Sequence, residues 1–148
     1  MIELRIAIDV DDMEKAIAFY TAGVGLTVGR RFDATWVELT GATSSIDLLG
    51  NPSGSGPCPC DSSLRRDYQR HWTPVHLDFV VSDLESAVER VRALGGTLDR
   101  EIQDRDWGRM ANLADPFGNG FCLLEFRGKG YDALVAVAAE PVPAEVKV

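Results

Sequence analysis

No stretch of the chain approaches the roughly 20 apolar residues of a transmembrane helix, so a helical span is excluded. Basic residues are scarce beside acidic ones. Fifteen Lys and Arg stand against 23 Asp and Glu, a formal net charge of −8, which sets the protein against nucleic acid and anionic membranes as partners. Cysteine is limited to Cys58, Cys60 and Cys122. An odd number, two of them one residue apart, is no disulfide framework and points to a reducing, cytoplasmic setting with loop thiols at Cys58 and Cys60. A glycine-rich phosphate loop after a strand is missing too, because Gly23, Gly25 and Gly29 follow a helical pattern. Met1 leads straight into the alternating segment Ile2–Val10, which reads as a strand and not as a signal peptide. What is present is 148 residues, 45% hydrophobic and 26% charged. A chain of that length buries about 70% of its unfolded surface and needs neither staple nor metal to fold.

The chain repeats itself. Ile2, Leu4, Ile6, Ile8 and Val10 alternate with Glu3, Arg5, Ala7 and Asp9, the pattern of a half-buried strand. Val75, Leu77, Phe79 and Val81 alternate in the same way with His76, Asp78 and Val80. Each strand runs to a capping aspartate, Asp11 or Asp12 in one case and Asp83 in the other, ahead of the helical patterns MEKAIAFYTA and LESAVERVRAL. A shift of 71 positions lays Asp12 on Asp83, Glu14 on Glu85, Ala16 on Ala87 and Gly25 on Gly96, and both helices end near glycine. Short strands follow at Leu26–Phe32 and Thr97–Ile102, and third strands at Thr35–Thr40 and Trp107–Ala114, with Trp36 and Trp107 at matching places. IDLL at Ile46–Leu49 then matches FCLL at Phe121–Leu124 after the turn Asp115-Pro116-Phe117-Gly118-Asn119-Gly120. Residues 1–50 and 74–127 are therefore expected to be two β-α-β-β-β modules. Residues 51–73, rich in Gly, Pro and Ser, form a linker or lid, and residues 128–148 a C-terminal extension with a poorly ordered PVPAEVKV tail.

Two such modules, with HLDFVVSDLESAVERVRALGG and the Asp-Pro-x-Gly-Asn turn before an apolar strand, resemble the vicinal oxygen chelate superfamily over residues 2–126. That group holds glyoxalase I, the bleomycin-resistance proteins and the extradiol dioxygenases; the second half is most similar to glyoxalase-like domains. The resemblance implies an α+β fold in which a curled mixed sheet surrounds a cleft and the helices lie outside. In metal-dependent members four residues enter the cleft from the first and fourth strands of both modules. The matching positions here are Arg5, Asp47, His76 and Cys122. Only His76 matches a glyoxalase I ligand; Asp47 is a shortened carboxylate, Cys122 a thiol, and Arg5 has no lone pair to donate. A divalent metal is thus disfavoured. If one binds, Asp47, His76 and Cys122 with a water are the set, and zinc the ion that suits them. Extradiol dioxygenase chemistry is disfavoured as well, since it needs two histidines and the other one, His71, lies in the linker.

Without a metal, Arg5, Asp47, His76 and Cys122 still supply polar groups to a largely apolar small-molecule cleft. Arg5 suits a carboxylate or phosphate, and His76 a proton transfer or a plain hydrogen bond to Asp47 or Asp78. Trp36 and Trp107 either stack on a flat ligand or fill the core, with at least one assigned to the core. Trp72 closes the linker as a lid residue; Arg109 and Glu38 face the cleft or its rim according to strand register. Arg65, Arg66 and Arg70, with Tyr68 and His71, either attract an anion or pair with Asp61 and Asp67. Two functions follow: proton transfer on a small oxygenated substrate by His76, as a lyase or isomerase, or sequestration of an aromatic, antibiotic-like compound. The resemblance also implies a homodimer.

Overall fold

The computed structural model describes residues 2–138, so the PVPAEVKV tail lies outside the described residues. Both halves fold as the repeat predicts. In the first, β1 (Arg5–Val10) leads to α1 (Met13–Ala18), which widens into a π-helical segment, Phe19–Val24; β2 (Thr27–Arg31), β3 (Trp36–Thr40) and β4 (Ser45–Gly50) follow. In the second, β5 (Leu77–Val80) leads to α2 (Leu84–Ala93). Two short strands come next, β6 (Thr97–Leu98) and β7 (Gln103–Arg105), then β8 (Gly108–Ala114), β9 (Gly120–Phe126) and a terminal α3 (Asp132–Ala138). The expected caps form. Asp12 accepts from the Lys15 amide and Asp83 from the Ser86 amide, each satisfying a backbone donor that the first helical turn leaves free. Gly25, at φ 101°, closes the first helix in a left-handed conformation that a side chain would resist.

The strands make two sheets, in the orders β1-β4-β3-β2 and β5-β9-β8-β6, with β7 also on β8. In each, the first strand pairs in parallel with the last while the other pairs are antiparallel. Alternation then decides the faces. Ile8, Val10, Val37, Leu39, Ile46 and Leu48 of one sheet, and Ala111, Leu113, Phe121 and Leu123 of the other, are buried in one core with both helices. That core is shared between the halves. Phe19 of the first packs edge-on to Phe121 of the second, and the π-helical segment crosses α2 where Gly23 lies against Val91 and Leu94. Gly96 is required by the same approach, because a Cβ there would lie 2.5 Å from a Val91 methyl and 3.0 Å from the Phe19 ring. Each fully buried phenylalanine, Phe19 or Phe117, contributes about 1.5–3 kcal/mol through burial.

One polar contact fastens the halves. Asp115, 3% exposed, accepts the Tyr20 hydroxyl at 2.7 Å, the Phe117 and Asn119 amides at 2.9 Å each, and the Asn119 side-chain amide at 2.8 Å. The Asp-Pro-x-Gly-Asn turn is therefore built around a carboxylate that also grips the other half's helix.

The segment 51–73 lies along this seam. Arg66 donates to Asp9 at 2.7 Å and to the Gly56 carbonyl, Tyr68 to the Asn51 carbonyl at 2.6 Å, and His71 to the Gly118 carbonyl at 2.9 Å. Arg66 and Arg70 thus pair with Asp9 and Asp99, not with the neighbouring Asp61 and Asp67, because the chain folds back over β1 and the turn, while Arg65 donates to the Ser62 and Leu64 carbonyls. The expectation of free loop thiols is corrected: Cys58 and Cys60 form a disulfide. A turn at Pro59 brings their Cα atoms to 5.4 Å, within bridging range.

Two outcomes follow. Asp115→Ala leaves several buried donors unpartnered and should cost about 3 kcal/mol in denaturant unfolding, whereas Tyr20→Phe, which removes one bond, should cost about 1 kcal/mol; equal small losses would show that the contact does not join the halves. A thiol reagent on unfolded, unreduced protein should titrate one cysteine, Cys122, and three after reduction; three beforehand would refute the bridge.

Candidate functional site

Each sheet turns its other face away from the helices, and each such face carries a polar cluster. Register places them equivalently: Ala7, Asp47 and Glu38 lie side by side across β1, β4 and β3, as Asp78, Cys122 and Asn112 do across β5, β9 and β8.

On the first face Arg5 grips Asp47 with two bonds, Nε at 3.1 Å and Nη2 at 2.9 Å, and reaches Glu38 at 2.8 Å. Arg30 closes on the other side of Glu38 at 2.7 and 2.6 Å. The Trp36 indole N–H donates to Asp47 at 3.1 Å. Two arginines and two carboxylates thus balance on one patch. The hydrogen bonds from Arg30 and then Arg5 push the Glu38 carboxyl down to about 2, and the Arg5 bond holds Asp47 below the usual carboxylate range. Beside this quartet Phe32 and Trp36 lie with ring centroids 4.1 Å apart, each about two-fifths exposed, and Arg30 sits over Phe32.

On the second face His76 Nε2 lies 3.3 Å from Asp78, and Asn112 donates to the Cys122 sulfur at 3.2 Å. The Asn112 carbonyl accepts from Arg100 at 2.8 Å and Gln103 at 3.0 Å, which fixes its amide group. Burial, aided by the negative charge of Asp78, pushes the Cys122 thiol up to about 11, so it is protonated at neutral pH. Trp72 stands edge-on to His76 at 5.2 Å and donates to Asp99. Trp72, His76, Asp99, Arg100 and Asn112 surround a cavity of about 390 Å³. A second cavity, of about 410 Å³, opens between the facing edges of β1 and β5.

Several expectations change. Arg5 and Asp47 on one face, and His76 and Cys122 on the other, are not brought into contact. Among the described residues no hydrogen bond or ion pair joins the two faces, because each sheet commits its apolar side to the shared core. The cation set Asp47, His76 and Cys122 does not fit: Arg5 and Trp36 occupy the Asp47 oxygens, and the residue beside His76 and Cys122 is Asp78. Arg109 lies on the helix side, paired with Glu85 of α2 and with Asp104 at 3.4 Å, since it shares the strand phase of Ala111 and Leu113. Trp107 is not the counterpart of Trp36. It sits in the turn before β8, against Phe126 and Tyr131, and the residue paired as Trp36 is paired is Met110. Arg30 and Asn112 escaped the sequence reading. Asn112 was legible only by counting back from Cys122, its register partner, because the second hairpin is longer than the first.

Paired β-α-β-β-β halves around one core, each with a polar sheet face, define a vicinal oxygen chelate superfamily member. Residues 5–124 match the Glyoxalase-like domain family, and the chain belongs to it. It is 31% identical to the anthracycline biosynthesis protein DnrV of Streptomyces peucetius, an alignment covering 91% of this chain and 57% of that one. The chain thus spans little more than half the length of that relative. Similar folds are those of TnmS3, an antibiotic binding protein from Streptomyces sp. CB03234 (TM-score 0.58, 24% identity, 86% of this chain and 97% of that one), and of FosX, a fosfomycin resistance protein from Listeria monocytogenes (TM-score 0.63, 20% identity, 86% and 96%).

The depressed Glu38 carboxyl makes an acid-stability test. Its pair stabilises the fold fully above about pH 4.5, the ordinary value, and that contribution is lost as pH falls towards about 2. Unfolding followed across that window should show a shallower decline for Glu38→Gln than for the parent; identical slopes would mean the quartet does not hold in solution.

Proposed function

We propose that this protein binds a planar, oxygen-bearing aromatic molecule of antibiotic-like type and holds it without turning it over. The observation that carries the reading is the Phe32–Trp36 pair, two large aromatic side chains left partly exposed at the edge of a charge-balanced patch. Half-exposed aromatic rings supply stacking area at small entropic cost, and the indole orientation is preset by its bond to Asp47. The roles of DnrV and TnmS3, anthracycline biosynthesis and antibiotic binding, support the ligand class. Arg5, expected as an anion clamp, is already engaged by two carboxylates, which favours a neutral ligand over an anionic one.

The occupant of the remaining wall is a second copy of the chain. Trp36 of the first half, with Phe32 beside it, and Val80 and Phe126 of the second are exposed apolar groups on the sheet faces turned away from the core. Laying one copy's second sheet over its partner's first would cover both sets and enclose the ligand. A second reading, proton transfer by His76, is favoured by one contact: the Asp78 carboxylate beside the imidazole orients it.

A soluble anthracycline should quench tryptophan fluorescence saturably, and Trp36→Ala should weaken binding at least about tenfold with little change in melting temperature. Light scattering should return twice the 16.2 kDa chain mass. Unchanged affinity in Trp36→Ala would sink the stacking role, and product formation abolished by His76→Ala would replace binding with catalysis.

A further inference from the structure

We infer that the Cys58–Cys60 bridge is a thiol–disulfide exchange site whose partner is a low-molecular-weight dithiol. This goes beyond the aromatic-ligand reading and does not depend on it. A bridge that staples a fold joins segments that would otherwise separate, and its stabilisation grows with the length of chain it closes. Here a single residue, Pro59, lies between the two cysteines, so the bridge ties no two elements together. The segment around it is held by other means. Gly54 donates its amide to the Arg66 carbonyl at 2.9 Å, and Arg66 donates its own to the Ser55 carbonyl at 2.8 Å, which closes residues 56–65 into a loop. The Arg66 side chain adds bonds to the Ser55 hydroxyl, the Gly56 carbonyl and Asp9. On the far side of Cys60, Asp61 accepts the Ser63 amide at 2.8 Å and the Ser63 hydroxyl at 2.6 Å. None of these bonds needs the sulfurs. Opening the bridge therefore leaves the loop closed with both thiols inside it.

Access and sulfur chemistry point the same way. Cys60 is exposed and Cys58 partly so, and exposed bridges are the ones open to exchange. The third cysteine does not scramble the pair, because Cys122 is 3% exposed and its thiol stays protonated at neutral pH. When a thiolate attacks the exposed Cys60 sulfur, the S–S bond breaks, a mixed disulfide forms and Cys58 leaves as a thiolate. Pro57 and Pro59 fix the backbone on either side of Cys58, and the bonds to Arg66 hold the loop shut, so that thiolate stays beside the new bond. It attacks the mixed disulfide in turn and expels a monothiol, which restores the bridge. A dithiol answers with its own second sulfur. It closes to a cyclic disulfide, Cys60 leaves, and the two protons of the dithiol end on Cys58 and Cys60. The dithiol is oxidised by two electrons and the bridge is reduced by the same two.

The folded protein tests this with dithiothreitol against 2-mercaptoethanol at equal total thiol, each followed by alkylation and mass measurement. Dithiothreitol should expose two alkylatable cysteines, Cys58 and Cys60, while Cys122 stays unlabelled until the chain unfolds. The monothiol should open the bridge at least about tenfold less at equilibrium. Denaturant below the unfolding transition should leave the dithiol rate unchanged, because the bridge opens from the folded state. The resolving step is read in Cys58→Ser: treated with the disulfide of 2-mercaptoethanol, Cys60 should keep the adduct, whereas the reduced parent should expel it and regain its bridge. Both cysteines lie in a loop closed by other bonds, so the variant folds as the parent does. A bridge that opens only in step with unfolding, equal yields from monothiol and dithiol, or an adduct that persists on the reduced parent would overturn the site.

Discussion

The structure depends on one packing constraint: each sheet buries its apolar face against the helix of its own half, and the two helices pack on each other, which merges both layers into one core. Neither half has a core of its own, since Phe19 of the first packs on Phe121 of the second and Tyr20 gives its hydroxyl to Asp115 across the seam. Gly96 lets the chain leaving α2 lie against Phe19, whose ring would be 3.0 Å from a Cβ there. Once both apolar faces are committed inward, the remaining faces must be polar and must satisfy their charges locally. The Arg5–Asp47–Glu38–Arg30 quartet and the Asn112-anchored cluster around Cys122 are two solutions to that one requirement.

Strand alternation made the faces legible before any coordinates. Arg5 and Asp47 on one side of the first sheet, and His76, Asp78 and Cys122 on one side of the second, follow from period-two burial alone. The caps at Asp12 and Asp83 and the turn at Asp115 were legible for the same kind of reason, since each satisfies a local backbone need. What escaped was set by loop length and tertiary reach. Matching Trp36 to Trp107 by a constant shift ignored the longer second hairpin, which moves the third strand's register and leaves Met110, not Trp107, in the equivalent place. Arg109 went to the helix side for want of that register. Asp9 as the partner of Arg66, and Asp99 as that of Arg70, depend on how a Pro- and Gly-rich segment folds back. The Cys58–Cys60 bridge likewise turns on a local bend at Pro59 that spacing rules do not encode.

Duplication explains why the two faces differ in chemistry. Repeat-related positions carry Arg5 and His76, Ala7 and Asp78, Asp47 and Cys122, Glu38 and Asn112. In the first half the guanidinium at position 5 has made the neighbouring carboxylates its partners, and a cation has no free donor there. In the second half the same sheet position is an imidazole with a lone pair, the carboxylate Asp78 stands on the first strand two residues after it, and the fourth strand offers sulfur. Four substitutions at matching positions, led by Arg5 against His76 at the strand start, separate a face that balances its own charge from one that does not. Divergence of this kind needs no change in the core, because the residues that differ lie on the polar faces and not on the buried ones. The aromatic pair then belongs where the charge is balanced, since stacking rings gain little beside an unpaired ion.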